Sequence, residues 1–403
     1  MAKILVHALA ATAGGGITYL RQLLSYLADK GQEHQWIALL PTGSAIECPD
    51  VPHLSRIVPT SARTPVGRLW FDQRSLRQII ARERIDLLLA TANFGMIRPP
   101  VPQVLLNRNA LYFSSEHLAE LRTRKEYRTL MATLARRQMA IASIRSSSVN
   151  VVPTEAFGRQ ILESIGRPLS RPMEVVPFGF DRNAYQRSLS EESRQRMLSR
   201  LSPVEGVRRV LLVSHYNYFR NFETLIRAMA ILRKQHRHTG PVELILTTRL
   251  EQGLRQHRYD TSFAARLVDE LGLADIVTML GTVASHDLAN LYPLADVVVC
   301  PSYAESFGHP MVEAMACARP IVAADRAVHR EICGPAALYF STFDPEQLAY
   351  RIGQILDDHQ LAHSLAKQGA QRASEFQWDD HFERIRHLMI STLPTSARTQ
   401  HHA

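Results

Sequence analysis

Short apolar runs alternate with amphipathic helical stretches along almost all of this 403-residue chain, and they do so in two separate series. KILVHAL, QWIALL, IDLLLAT, PQVLLN, SVNVVPT and EVVPF make up the first series. RRVLLVSH, VELILTT, IVTML, ADVVVCPS, ARPIVAAD and AALYF make up the second. Between them stand segments with apolar residues at helical spacing, such as GGGITYLRQLLSYLADKG, with Gly31 just past its end, and NFETLIRAMAILRKQ. A strand that is apolar throughout needs cover on both faces, and intervening helices provide that cover. The pattern predicts an α/β fold with two Rossmann-like, doubly wound parallel-sheet domains. The expected divisions are a first domain over 1–182, a polar linker over 183–206 and a second domain over 207–375. A final helix over 376–392 and a disordered tail over 393–403 follow.

Apolar residues make up 46% and charged residues 21% of the chain, which excludes a disordered polymer. No run of about 18 apolar residues is present, so no transmembrane helix is expected. The start, MAKILVHALAATAGGG, reads as a buried strand entering a loop rather than a signal peptide. Cys48, Cys300, Cys317 and Cys333 have no CxxC spacing, so neither a zinc site nor a disulfide framework is expected, and the cytoplasm is the natural compartment. The basic excess is one-sided. Residues 1–180 hold 22 Lys and Arg against 13 Asp and Glu, whereas residues 181–403 hold 25 of each. Much of it lies between His117 and Arg145, expected as one long helix carrying Arg122, Arg124, Lys125, Arg128, Arg136 and Arg137. Peripheral docking on an anionic membrane and a merely solvated arginine face both account for it. A nucleic-acid partner is not expected, because the basic positions are not interleaved with aromatic ones.

Residues 295–325, ADVVVCPSYAESFGHPMVEAMACARPIVAAD, carry the most chemistry. A buried strand ends at Pro301-Ser302. A loop with Glu305, Ser306, Phe307 and Gly308 follows, and a helix begins near Pro310 with Glu313 in its first turn. Ligands of such sheets bind beyond the carboxyl ends of the strands, and a helix N-terminus offers free amides to an anion such as a diphosphate. Two carboxylates at one mouth suit the hydroxyl pairs of a sugar. A lone Glu313 would equally serve to complement the helix dipole.

The same stretch resembles the signature of glycosyltransferase family 4, the retaining, group 1 glycosyltransferases of the GT-B fold. EVVPFGFD at 174–181, LGTVASHDLANLYPLADV at 280–297 and HREICGPAALYF at 329–340 resemble further segments of that family in the same order. The resemblance implies two domains facing a cleft, with the last helix crossing back to the first domain. It implies a hexose transferred from a nucleotide diphosphate sugar, UDP- or GDP-linked, to an acceptor hydroxyl in polysaccharide, lipopolysaccharide or glycolipid assembly, with no metal or other cofactor. The acceptor it implies is a glycan or a lipid-linked sugar.

Residue by residue, the resemblance assigns Glu305 to the transferred sugar, Glu313 to the ribose, and the amides of Phe307 and Gly308, beside Ser306, to the sugar and diphosphate. Gly14, Gly15 and Gly16 match the loop that approaches the diphosphate, and Val283 falls in the donor-side segment. In VLLVSHYNYFRNFETLIRAMAIL, Arg220 stands where the family commonly has a phosphate-binding Lys and His215 where it has an Arg. Asn221 replaces a common Gly. A histidine that faces the sugar in many relatives is missing, and Arg108 or Asn109 takes that contact or the sugar is held differently. Ala318 replaces another common Gly, which is tolerable if the backbone there is not left-handed. A second reading, a nucleotide-sugar-binding protein that kept the fold without turnover, shares all of these residues.

Overall fold

The computed structural model describes residues 1–11, 15–43, 46–59, 67, 70–166, 168–169, 173–186, 191–235 and 240–393. They form two compact units. The first comprises Met1–Phe113, Met131–Gly179 and Trp378–Ala403, and the second Ser114–Leu130 and Phe180–Gln377.

The first unit is built on β1 (Lys3–His7), β2 (Gln35–Leu39), β3 (Leu54–Ile57), β4 (Leu87–Ala90), β5 (Gln103–Leu106), β6 (Val149–Val152) and β7 (Met173–Val175). They form one parallel sheet in the order β3-β2-β1-β4-β5-β6-β7. Leu5, Ile37, Leu39 and Leu88 cover one face together with Leu76, Ile80 and Ile85. The helix Gly15–Lys30 buries Tyr19, Leu20, Leu23, Leu24, Tyr26 and Leu27. Against it lies the last helix, Trp378–Thr392: Tyr19 meets Phe382 edge-on at 5.5 Å, and Tyr26 donates to Glu383 at 2.7 Å. The C-terminal helix therefore belongs to the first unit, as the resemblance implied. Each large side chain buried there contributes on the order of 1.5–3 kcal/mol. Gly179 is required beside it, because a Cβ at that position would sit 2.3 Å from the Trp378 backbone.

The second unit contains β8 (Arg208–Leu212), β9 (Val242–Leu246), the short hairpin β10 (Arg255–Gln256) and β11 (Tyr259–Asp260), then β12 (Val277–Met279), β13 (Val297–Cys300), β14 (Ile321–Ala324) and β15 (Ala337–Phe340). Its sheet runs β12-β9-β8-β13-β14-β15, all parallel. Leaving out the hairpin, the order reverses between the first and fourth strands, as it also does between β1 and β4. Each unit thus has a switch point at the carboxyl edge of its sheet, which is where such sheets receive ligands.

Two local expectations are corrected. Residues 117–145 are not one helix. Ser115–Thr123 ends in a left-handed Lys125 (φ 57°), with Glu126 N–H bonding back to Leu121 O at 2.9 Å, and a new helix runs from Tyr127 to Ser146. This closing geometry satisfies the last carbonyls of the first helix. Within that basic stretch Arg124 is paired, held by Glu120 and, at 3.0 Å, by Glu223. The second correction concerns Ala318, whose φ is +50°. It closes the helix His309–Ala316, with Ala318 N–H on Met315 O (3.0 Å) and Arg319 N–H on Ala314 O (2.9 Å). That motif places its unusual residue where glycine carries no Cβ penalty. Ala318→Gly is therefore expected to raise stability by about 0.5–1 kcal/mol. Chemical denaturation checks this, and a lower midpoint would refute it.

Candidate active site

At the switch point of the second unit, the chain after β8 and the chain after β13 come together. Leu212 ends one strand and Val213 follows it, and Cys300 ends the other, followed by Pro301 and Ser302. With Arg220, Glu305, Gly308, Pro310 and Met311 they line a shallow cleft. The loop after β8 forms a tight turn over Tyr218–Arg220 and passes Asn221 in the left-handed region (φ 57°) before the helix Phe222–Gln235 begins. Asparagine tolerates that conformation better than other non-glycine residues. Here its side chain also serves as a clamp. The amide donates to Pro301 O at 3.1 Å and to Thr342 O at 2.6 Å, while Oδ1 accepts from Thr224 at 2.7 Å. Tyr303 N–H bonds to Phe219 O at 3.0 Å. Two loops far apart in sequence are locked together.

That locking brings Arg220 onto Glu305: guanidinium Nη1 pairs with carboxylate Oε1. Ser302 Oγ donates to the same oxygen at 3.2 Å. The Arg220 guanidinium lies 4.6 Å from the Phe219 ring centroid, which restrains its plane. Gly308 has φ +91° and precedes the first turn of the helix His309–Ala316, so the chain there turns sharply into the cleft wall. Phe307 is buried, with its ring 5.4 Å from Phe376. Its side chain belongs to the core. Ser306 stands between Glu305 and Phe307 on the same loop, partly exposed.

The other sequence-derived positions are placed differently. Glu313 lies in the second turn of its helix, not the first, because the helix opens at His309. Its carboxylate accepts from Tyr292 Oη at 2.7 Å and also from Tyr185. Burial pushes its pKa up, and the two tyrosine hydroxyls pull the other way. It does not line the cleft beside Glu305. Val283 sits on the loop before the helix Ser285–Leu291 and is likewise not among the lining residues. His215 is exposed on the loop after β8. Burial, followed by His257 and Arg220, holds its pKa below the usual histidine value, so at neutral pH it brings no charge.

In the first unit, Gly15 and Gly16 open the helix Gly15–Lys30, whereas Gly14 lies outside the described residues. Arg108 follows β5. It donates to Gly15 O at 2.9 Å and lies over the rings of Tyr19 (4.6 Å) and Phe178 (5.1 Å). Asn109 caps the short turn Ala110–Tyr112 by accepting from Leu111 N–H at 3.0 Å, so its side chain does ordinary turn work. Asn93, which the sequence did not single out, accepts the amides of both Arg108 and Asn109 at 3.1 Å. Among the described residues no group of three or more His, Cys, Asp or Glu is placed to hold a metal ion. Nor is any described helix long and apolar enough to cross a membrane.

Residues 13–184 match the model for Glycosyltransferase Family 4, and residues 194–372 match the model for Glycosyl transferases group 1. The chain belongs to the family 4, group 1 glycosyltransferases. A curated relative, D-inositol 3-phosphate glycosyltransferase of Paenarthrobacter aurescens, is 28% identical over 57% of this chain and 53% of its own length. The match thus spans about half of that relative. Among solved structures, sucrose-phosphate synthase from Thermosynechococcus elongatus superposes with a TM-score of 0.73 at 20% identity, covering 96% of this chain and 98% of that one. Anabaena HepE in complex with UDP and glucose gives a TM-score of 0.71 at 22% identity, covering 98% and 100%. These likenesses establish the two-domain GT-B fold of the chain.

Two buried histidines contribute to its acid sensitivity. His329 and His117 are both nearly inaccessible, and burial pushes each pKa down to about 4. In the unfolded chain each titrates near 6.5. Between those values the unfolded state binds the extra proton, so stability is complete above about pH 6.5 and falls as the pH drops toward 4. Each histidine is expected to cost roughly 1.4 kcal/mol per pH unit in that window. Denaturation midpoints at pH 7, 6 and 5 test this, and a flat profile would contradict it.

Proposed function

We propose that this glycosyltransferase moves a hexose from a nucleotide diphosphate sugar to an acceptor hydroxyl with retention at the anomeric carbon. The observation that carries the reading is the Arg220–Glu305 pair at the switch-point cleft, beside the N-terminus of the helix His309–Ala316. Arg220 neutralises charge that builds on the leaving diphosphate, and its planar fork suits two phosphate oxygens. The amides at Phe307, Gly308 and the following helical turn face the same charge. Glu305 accepts hydroxyls of the transferred sugar. Glu313, held by its tyrosines, accepts from the ribose. Ser306 contacts the donor.

Chemistry at the anomeric carbon then needs no base from the protein. The C1–O bond to the diphosphate breaks, the acceptor oxygen forms the new bond on the same face, and the departing phosphate oxygen takes the acceptor proton. No metal is required, because Arg220 and the amides supply the positive charge. The complexes of HepE with UDP and UDP-glucose support a uridine donor. The acceptor is a glycan or lipid-linked sugar of surface polysaccharide assembly, and the exposed Arg122, Lys125 and Arg128 favour a peripheral position on anionic membrane.

The test is a donor screen with UDP-, GDP- and ADP-sugars, following thermal shift and free nucleotide release. Release from one donor, raised by an acceptor extract, is the expected result. A shift that never leads to release, with or without extract, favours the binding-protein reading. No shift with any donor overturns the site.

A further inference from the structure

The loop after β14 places His329 behind the cleft. The helix Ala327–Cys333 presents its ring inward, where it is 1% exposed, next to Ser302, which is 3% exposed. His329 Nδ1 lies 2.8 Å from Ala324 O and Nε2 lies 3.3 Å from Ser302 Oγ. A carbonyl has no proton to give, so Nδ1 must carry the ring proton. Burial, helped by Arg326 and Arg220, keeps the second nitrogen unprotonated at neutral pH. Nε2 is then an acceptor.

Ser302 has a single hydroxyl proton and two acceptors in reach, His329 Nε2 and Glu305 Oε1. We propose that Ser302 and His329 are positioning residues for Glu305. Before a ligand hydroxyl reaches Glu305, the Ser302 proton holds the carboxylate on Arg220. When a ligand hydroxyl donates to Glu305, the Ser302 proton turns to His329. The buried serine is satisfied in both states, so releasing the carboxylate leaves no unmade hydrogen bond behind. The ligand half of this proposal rests on reading the cleft as the sugar-donor site.

The test is nitrogen NMR of the full chain labelled with [15N]histidine. The His329 signals are assigned by their loss in His329→Leu, or in His329→Gln should that variant fail to fold. The expected result is an unprotonated Nε2 at pH 7.5 that moves downfield in Ser302→Ala, having lost its donor. In Glu305→Leu it moves upfield, because the serine proton has no competing acceptor. A protonated Nε2, or a resonance that ignores both substitutions, overturns the proposal. Saturating UDP-glucose is then added, with binding read by calorimetry. The Nε2 signal should move upfield in the natural chain and stay in place in Ser302→Ala. Binding without that movement overturns the hand-over. No binding, with the ligand-free shifts intact, counts against the donor reading while the positioning pair stands.

Discussion

Replacing Glu305 with glutamine is expected to lower sugar transfer at least about a hundredfold while nucleotide binding changes little. The loss is of the size seen when one preorganised group at a reacting centre is removed. The carboxylate is fixed from two sides, by Arg220 and by Ser302 at 3.2 Å, and both bonds end on Oε1. A glutamine fits the same space but loses the charge, so it accepts a sugar hydroxyl more weakly and no longer balances Arg220. The measurement is steady-state kinetics with the donor found in the screen, alongside calorimetry with the free nucleotide diphosphate. A variant that retains full turnover would remove Glu305 from the machinery. Equal losses in turnover and in nucleotide affinity would instead mean that the cleft had collapsed.

Arg220→Ala is expected to weaken binding of a nucleoside diphosphate by roughly 10- to 150-fold, corresponding to about 1.5–3 kcal/mol for charge-assisted hydrogen bonds. Affinity for the corresponding nucleoside should stay within about twofold. The distinction matters because Arg220 stands on the turn before the helix Phe222–Gln235, and a merely structural loss would weaken both ligands together. Removal also frees Glu305 from its partner. The variant should therefore lose transfer more strongly than it loses diphosphate affinity, since the guanidinium acts most on charge that develops during bond breaking. Equal affinities of the natural chain and the variant for the diphosphate would reject the phosphate role.

Parts of the site were legible in the residues and parts were not. The strand, loop and helix over 295–325 could be read because each element has a strong local signature: VVVC as a buried strand, Gly308 at a left-handed turn, and Pro310 at the helix start. Ser302 lay in that stretch, yet nothing local distinguishes a serine that touches Glu305 from one that ends a strand. His329 was hidden further, since its partners Ser302 and Ala324 come from two other segments. Asn93 and Asn221 were missed or underused for the same reason: an asparagine reads as turn chemistry until the carbonyls and amides it binds are known. The basic segment shows the reverse error. Arginines at 122–137 looked like one charged face, but Lys125 breaks the helix and Arg124 turns toward Glu120 and Glu223.

The sequence by itself determined the class of fold, the two sheets, the family and the loop that carries Glu305. Periodicity and turn chemistry act over a few residues and need no tertiary context to be read. Only the tertiary structure decided that Arg220 meets Glu305 across 85 positions, that Glu313 is held between tyrosines, and that Ala318 is left-handed. Those outcomes depend on which strands neighbour one another at the switch point, and on side-chain partners drawn from distant segments. Such pairings follow from packing the whole unit and leave no periodic trace in the chain.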